Sequence, residues 1–229
     1  DGRSSLEEMV SAAQELGLDY LGISDHSVSS FQAHGLDVGR LLRQVATIRE
    51  MNERFDGEFK IFAGVECDIL KDGSLDYPDD VLAQLDYVVA SVHASFTQSQ
   101  AEMTARLVRA MSNPYITMLG HMSGRLLLSR EAYAVDVPAV IDAAAQTKTV
   151  IELNANPRRL DMDWRWWKRA KDKGVLCSIN PDAHSREGLH YLGLGVRMAR
   201  KGWLAKADVF NTRKTAEIEA FLKKSKAKR

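Results

Sequence analysis

The chain has 229 residues, of which 45% are hydrophobic and 27% are charged, with 31 basic and 31 acidic side chains. This composition excludes a disordered chain, because disorder requires low hydrophobicity together with high net charge. No apolar run approaches the ~18 residues of a membrane span, so no membrane partner is expected. The zero net charge argues against a protein that is basic over its whole surface, although a local basic patch stays compatible with it.

The ends of the chain and its cysteines bear on its origin. The opening DGRSSLEEMV shows no signal peptide and is typical of a segment cut from a longer chain. Two cysteines, Cys67 and Cys177, are too few for a disulfide scaffold and favour a reducing, cytoplasmic location.

Helical and strand-like segments alternate along the chain. A capping box at 5–8 opens a predicted helix at 6–16, which Gly17 ends. The other predicted helices are, in chain order, 38–54, 101–111, 138–145, 164–173, 189–201 and 215–224. Six short segments, most of them rich in Val, Ile and Leu, are predicted as strands buried on both faces: 20–24, 60–65, 87–92, 116–120, 149–154 and 176–180. This order predicts one α/β domain with a parallel sheet, either open or closed into a barrel.

Residues that can hold metal ions follow five of the six predicted strands. They are Asp25 with His26, Glu66, His93, His121, and Asp182 with His184. No glycine-rich phosphate loop follows any strand, which disfavours the dinucleotide-binding and P-loop folds. A parallel barrel gathers the C-terminal ends of its strands on one face, so we expect these side chains to converge there.

Taken singly, each of these residues is more typical of a loop hydrogen bond, a helix cap or an ion pair. Their repetition at five strand ends favours a metal cluster, because buried imidazoles and carboxylates are costly unless they are paired or metal-bound. Asp182 and His184 are two residues apart, so an extended backbone would point both side chains the same way. Imidazole and carboxylate ligands suit two or three ions of Zn²⁺, Mn²⁺ or Fe²⁺, which activate water in phosphoester hydrolysis. Cys67 is expected to face away as a core thiol.

A set of motifs occurs in a fixed order along the chain: D-H-S, G-V-E-C-D-I, G-S-L-D-Y-P-D, A-S-V-H, M-T-A-R, G-H-M-S-G-R, E-L-N-A-N-P-R-R-L-D and N-P-D-A-H. In combination they resemble the PHP (polymerase and histidinol phosphatase) domain, in the version attached to bacterial and archaeal family X DNA polymerases. The resemblance implies a distorted seven-stranded (β/α) barrel, similar to a TIM barrel, over residues 1–212, followed by a C-terminal helix and basic tail at 213–229. It also implies a trinuclear metal site with Mn²⁺-dependent 3′–5′ exonuclease or related phosphoesterase activity.

The resemblance implies seven metal ligands in this chain: Asp1, His26, Glu66, His93, His121, Asp182 and His184. Glu66 resembles the carboxylate that bridges two ions, and His93 and His121 complete the site of one of them. Asp182 resembles a ligand of the second ion, and the remaining three residues resemble the ligands of the third. The other partners of the second ion belong to an H-x-H motif on the first barrel strand, which is expected upstream of Asp1.

The resemblance also implies further roles around the metals. Catalytic roles are expected for three of the ligands: Glu66, Asp182 and His184. Arg125 and Arg159 match arginines of the family motifs and are expected to hold phosphate oxygens. Asp25 precedes a ligand and is expected to orient a neighbouring one.

Three functions stay open at this point. The first is a metal-dependent exonuclease on DNA 3′ ends in DNA repair, with polymerase modules expected upstream. The second is a stand-alone phosphatase for a small monoester such as histidinol phosphate, and the third is a non-catalytic PHP scaffold, against which the retained ligands argue. The stretch 158–169, with three tryptophans, is either an outer helix with buried tryptophans or a nucleic-acid surface.

Overall fold

Six parallel strands in consecutive order form the centre of the fold, and the computed structural model describes residues 1–226. The strands are β1 (Tyr20–His26), β2 (Lys60–Asp68), β3 (Tyr87–Ser91), β4 (Met118–Leu119), β5 (Val150–Asn154) and β6 (Cys177–Asn180). The helices are α1 (Leu6–Glu15), α2 (Val38–Phe55), α3 (Asp79–Leu82), α4 (Gln100–Met111), α5 (Val137–Thr147), α6 (Trp167–Asp172), α7 (Leu192–Lys201) and α8 (Thr215–Lys226). Residues 227–229 of the predicted basic tail lie outside the described residues.

The sheet contains all six predicted strands, but two of them are longer than predicted. β1 and β2 pair in register as far as His26 and Glu66, and β2 continues to Asp68 against Ser91 of β3. The predicted metal ligands His26 and Glu66 therefore lie on the strands themselves rather than in loops. β4 is shorter than predicted, with only Met118 and Leu119 in the ladder.

The sheet curls into a half-barrel whose first and last strands are not paired with each other. No seventh strand is found among residues 1–226, so the predicted seven-stranded barrel is not confirmed. Part of the free edge of β6 is covered by the segment that follows α7. There the side-chain amide of Asn211 accepts from the Ile179 N–H at 3.0 Å and donates to the Ile179 carbonyl at 2.6 Å.

The side chains of β2 point alternately to an outer face, which is apolar, and to an inner face, which carries both apolar and polar residues. Ile61, Ala63, Val65 and Cys67 are buried in the core beneath the outer helices. The inner face carries Lys60, Phe62, Gly64, Glu66 and Asp68 in turn. Lys60 pairs with Glu219 of α8 at 3.4 Å, and the carboxylates of this face lie at the C-terminal end. Cys67 faces the outer core, as predicted.

The N-terminal half of the inner face is closed by aromatic and aliphatic packing. Tyr87 lies across β2, and a Cβ at Gly64 would overlap its ring, which explains why glycine is needed there. Phe62 and Tyr87 pack with Ile218 and Leu222 of α8, which covers this end of the half-barrel. A hydrophobic layer therefore lies beneath the polar groups at the opposite end of the half-barrel.

The outer helices form where local sequence signals predict them. Ser5 and Ser99 make capping boxes at the starts of α1 and α4, and Asp37 caps α2. Along α2, Leu41, Val45 and other residues at helical spacing are buried against the sheet. Within residues 1–226 the structure adds α3 and three 3₁₀ turns that lie outside the predicted helices.

The predicted helices at 164–173 and 189–201 each begin with a 3₁₀ turn. Trp167 is fully buried, and Trp164 and Trp166 pack against the same core, so the packing favours an outer helix with buried tryptophans.

His34 and His190 are both exposed, and neither belongs to the groups of clustered histidines. Within residues 1–226, no helix combines the length and apolar character that crossing a bilayer requires.

Candidate metal centre

Histidine and carboxylate side chains converge at the C-terminal ends of the strands. Three overlapping groups each have ligand atoms within 4.8 Å of one another: Asp1, His26 and His184; His26, Asp68 and His93; and Glu66, His93 and His121. The structure therefore brings six of the seven predicted ligands together and adds Asp68. The convergence follows from the fold, because consecutive parallel strands deliver their C-terminal ends to one edge.

Glu66 is the hub of the cluster. Its Oε1 lies 2.9 Å from Nε2 of His121 and 3.3 Å from Nε2 of His93, and its Oε2 lies 3.6 Å from Nδ1 of His26. Burial by itself would raise the pKa of Glu66, but the hydrogen bond with His121 and charge attraction from His121 and His93 hold it well below its ordinary value. Glu66 is thus an ionised carboxylate facing three imidazoles.

Asp68 is a member of the cluster that sequence analysis missed. Its Oδ1 lies 2.5 Å from Nδ1 of His93, and it accepts hydrogen bonds from the hydroxyls of Ser29 and Ser30. Burial would lower the pKa of His93, but Asp68 and Glu66 raise it to about 10. The signal that could have found Asp68 is its spacing, two residues after Glu66 on the same strand face.

Asp1 and His184 form the outer part of the cluster with His26. Nε2 of His184 lies 3.1 Å from Oδ2 of Asp1, and Nε2 of His26 lies 4.0 Å from the same oxygen. His26 therefore faces Glu66 with one ring nitrogen and Asp1 with the other. Burial lowers the pKa of His26, which favours the neutral ring that a metal ion requires.

Asp182 lies beside this cluster and belongs to none of the three groups. Its Oδ1 lies 3.7 Å from Nδ1 of His184, while its Oδ2 accepts from the Asn154 amide at 3.0 Å and faces Nε of Arg159 at 3.3 Å. The extended backbone predicted for 182–184 is wrong, because Asp182 has a φ of +51°. The chain turns at Asp182 directly after β6, and both side chains still face one another.

The donor geometry fits metal ions. A four- to six-coordinate ion with ligands at about 2.1 Å separates neighbouring donor atoms by about 3.0–3.4 Å. The contacts of Glu66 with the histidines span 2.9–3.6 Å, and Nδ1 of His26 and Nε2 of His93 are buried without a hydrogen-bond partner in the described chain. An ion held jointly with Glu66 would satisfy ring nitrogens in that position.

The two predicted phosphate-binding arginines differ in their contacts. Arg125 donates to the carbonyls of Arg159 and Leu160 and pairs with Asp163 at 2.9 Å. It therefore stabilises the loop that follows β5. Arg159 faces Asp182, and its Nη1 is buried and lacks a partner among residues 1–226. Of the two, Arg159 has a free donor next to the cluster.

Asp25 contacts Gln44 rather than a histidine. Its Oδ2 accepts from the Gln44 amide at 2.7 Å. Asp25 therefore connects β1 to α2. Within residues 1–226 it makes no hydrogen bond or ion pair with a predicted metal ligand, so no contact supports its predicted role in orienting one.

A second buried carboxylate, Glu152 on β5, also escaped sequence analysis. It accepts from the backbone N–H of His121 at 2.7 Å and from the Asn180 amide at 2.8 Å. Burial raises its pKa to about 7. Glu152 thus fixes the backbone of one predicted ligand and, through Asn154, is connected to Asp182.

A cavity of about 650 Å³ opens beside the cluster on the inner face of the sheet. Its polar end includes Glu66, His121 and His184, and its walls include residues of both edge strands, β1 and β6. This volume is within the range of small-molecule binding sites.

Two solved structures share this fold. The histidinol phosphate phosphatase of Lactococcus lactis, solved with zinc, L-histidinol and phosphate, matches 90% of this chain and 90% of its own, with a TM-score of 0.61 and 14% identity. The putative histidinol phosphatase of Listeria monocytogenes matches 82% of this chain and 92% of its own, with a TM-score of 0.65 and 14% identity.

Two relatives found by sequence have a higher identity to this chain than these structures have. The DNA polymerase/3′-5′ exonuclease PolX of Bacillus subtilis is 43% identical over 98% of this chain, which spans 39% of the length of that protein. A probable phosphatase of Caldicellulosiruptor bescii is 31% identical over 79% of the chain and 73% of its own length. The family model of the PHP domain matches residues 1–156. Given this match and the identity to both relatives, the chain belongs to the PHP domain family.

Proposed function

We propose that this PHP-domain phosphoesterase uses two or three divalent metal ions to hydrolyse phosphoesters at DNA 3′ ends. The observation that carries the proposal is the metal centre itself, in which three overlapping ligand groups lie next to a buried, unpartnered donor of Arg159. The 43% identity to a polymerase/3′-5′ exonuclease supports DNA as the substrate over a small monoester.

Each residue then has a defined task. Glu66, His93 and His121 would hold one ion, and Asp1, with His26 and His184, would hold another. Asp182 lies next to His184 and would complete a further site. The bound ions supply a water molecule activated at neutral pH and charge neutralisation on the phosphate.

The protein groups around the ions position the substrate. Arg159 would donate from Nη1 to a phosphate oxygen, while its Nε stays on Asp182. Glu66, Asp182 and His184 keep the catalytic roles expected of them, as ligands that fix the reacting groups. Arg125 would support Arg159 indirectly, through the carbonyl to which it donates.

We also propose that the complete barrel has a seventh strand, supplied by a longer chain and carrying an H-x-H pair. Two features support this: the outer edge of β1 is not paired to a strand among residues 1–226, and the 650 Å³ cavity runs along it. Histidines there would face Asp182 and complete its ion site.

The test compares two substrates in Mn²⁺. It uses the longer chain that carries the seventh strand, because the sequence from Asp1 contains no H-x-H pair and is expected to be much less active alone. We expect stepwise shortening of a 5′-labelled single-stranded oligonucleotide, seen on a denaturing gel, and slower release of phosphate from histidinol phosphate. Glu66→Gln should abolish shortening, whereas Glu58→Gln, an exposed carboxylate before the start of β2, should leave it unchanged. Brisk hydrolysis of histidinol phosphate with an intact oligonucleotide would replace the proposal with a small-molecule phosphatase. Hydrolysis of neither would leave the scaffold alternative.

A further inference from the structure

Two loops beside the metal centre form one connected surface, which we call the arginine rim. It comprises residues 123–131 after β4 and residues 156–165 after β5. The backbone N–H of Leu127 donates to the carbonyl of Arg158 at 2.6 Å. The guanidinium of Arg125 adds bonds from the first loop to two carbonyls of the second. The loops are thereby held together as a unit.

The arginine rim is rich in positive charge. It contains five arginines and three acidic residues. One of the acidic residues, Asp161, is fully buried and accepts hydrogen bonds from the hydroxyl and the backbone N–H of Ser123. Arg158 is exposed, and its guanidinium makes no ion pair or hydrogen bond within residues 1–226. An exposed, unpaired arginine on a fixed loop is a ready donor to an anionic ligand.

The rim also exposes apolar side chains at its tip. Leu128 is fully exposed at a φ of +64°, and Leu127 beside it is 37% exposed. Together the two leucines form a small exposed apolar patch beside the arginines. A ligand that combines negative charge with flat apolar groups would use both features.

The rim is continuous with the metal centre. Arg159, the neighbour of Arg158 in the chain, lies 3.3 Å from Asp182, which in turn contacts His184. A ligand with successive phosphates could therefore reach from the metal centre past Arg159 to Arg158. A small monoester has a single phosphate, and it would engage the metal centre and Arg159 alone.

We propose that the arginine rim binds the backbone of a single-stranded nucleic acid whose 3′ end lies at the metal centre. Arg158 contacts a phosphate upstream of the reacting end, and Leu128 packs against a base. This inference rests on the proposed function for its choice of a polynucleotide, and it adds the path of the strand over the protein surface.

The test measures binding separately from hydrolysis. The probe is a fluorescein-labelled oligonucleotide with phosphorothioate linkages that resist cleavage, and its Kd is measured by anisotropy over a series of salt concentrations. Arg158→Ala should raise Kd about threefold to tenfold and reduce the slope of log Kd against log salt by about one, since one phosphate contact is lost. Leu128→Asn, which tolerates a positive φ, should raise Kd with an unchanged salt slope.

The matched control is Arg54→Ala, because Arg54 is an exposed arginine in the last turn of α2, at the opposite end of the strands. It should bind the probe as the unaltered protein does. The KM for p-nitrophenyl phosphate should be the same in all these variants. If Arg158→Ala and Leu128→Asn bind the probe as tightly as Arg54→Ala does, the rim proposal is overturned. If the rim variants weaken binding while the unaltered protein leaves a normal oligonucleotide uncut, the rim stands and the proposed function fails.

Discussion

At the scale of single residues, the pairing of Asp68 with His93 governs which ring nitrogen is free. Asp68 accepts a hydrogen bond from Nδ1 of His93. In the neutral ring the proton therefore lies on Nδ1, and the Nε2 that faces Glu66 carries none. Asp68→Asn would offer an amide N–H to Nδ1 and favour the tautomer with a proton on Nε2. We expect metal affinity to fall about 10-fold to 100-fold, measured by competition with a chromophoric chelator.

The control for this change is Asp72→Asn, an exposed aspartate in the loop that follows β2. It should keep the full metal affinity. An Asp68→Asn protein with unaltered affinity would mean that Asp68 merely holds the serine hydroxyls of the loop after β1.

Glu66 and His93 should differ in how many ions their loss removes. Glu66 faces three imidazoles through both of its oxygens, whereas the Nε2 of His93 faces Glu66 alone. We expect Glu66→Gln to lower metal content by more than one equivalent and His93→Ala by one or less, in elemental analysis of purified protein loaded with Mn²⁺ or Zn²⁺. Equal losses in the two variants would contradict a bridging role for Glu66.

The same residues explain what sequence analysis could find and what it missed. His93 and His121 were found because each follows a short apolar run that can only be a buried strand. Asp68 was missed because β2 was predicted to end at residue 65, and only its pairing with β1 and β3 carries it further. The turn at Asp182 depends on a left-handed backbone conformation that its residue type tolerates but does not require.

At the scale of elements, α4 is tied to the loops after β2 and β3 by one buried arginine. Arg106 is 3% exposed and donates to the carbonyls of Ile69 and Ala94, which directly follow Asp68 and His93. Arg106→Met would leave both carbonyls without this donor. We expect the free energy of unfolding to fall by about 2–4 kcal/mol, because hydrogen bonds to charged groups contribute about 1.5–3 kcal/mol each.

Arg109, on the same helix, provides the comparison. It is 64% exposed and lies 3.9 Å from Asp72, so Arg109→Met should change stability by at most about 0.5 kcal/mol in urea unfolding. If the two variants unfold at the same urea concentration, Arg106 does not anchor the loops.

The elements were more predictable than their ends. Helix starts at Ser5 and Ser99 follow from hydrogen bonds made within four residues, which the local sequence specifies. The short helix α3 and the 3₁₀ turns have too few residues to show a hydrophobic period. The length of β4 is set by its neighbours, since its two residues pair with β3 on one side and β5 on the other.

At the scale of the whole molecule, metal ions should raise the unfolding temperature. The ligand groups join Asp1 to β1, β2 and the segments after β3, β4 and β6, so ions bound there stabilise all of these together. At 100 times Kd, binding of one ion contributes about 2.7 kcal/mol, which corresponds to a Tm increase of about 5–10 °C for a chain of this size.

Calorimetry with and without EDTA measures this increase. Glu66→Gln should show a smaller difference between the two conditions than the unaltered protein, because fewer ions bind. The same Tm in EDTA and in excess Mn²⁺ or Zn²⁺ would show that these residues form a purely structural network of hydrogen bonds.

The overall architecture could be predicted only in part. Alternating apolar runs and helical patterns predicted the parallel α/β sheet that is observed, and the family motifs predicted six of the residues that converge at its C-terminal edge. Whether the sheet closes depends on what pairs with the outer edges of β1 and β6, which no local pattern in residues 1–226 specifies. The position of α8 over the inner face likewise depends on Phe62 and Tyr87, which are distant in the sequence.

The wide separation of the ligands along the chain has a consequence during synthesis on the ribosome. Asp1 and Glu66 emerge well before their most distant neighbour in the cluster, His184, which follows the last strand of the sheet. At about 5–20 residues per second, the stretch between Glu66 and His184 takes on the order of ten seconds to be made. During that interval the nascent chain holds an incomplete set of donors, so a full set of ions would bind only after the whole domain has been translated.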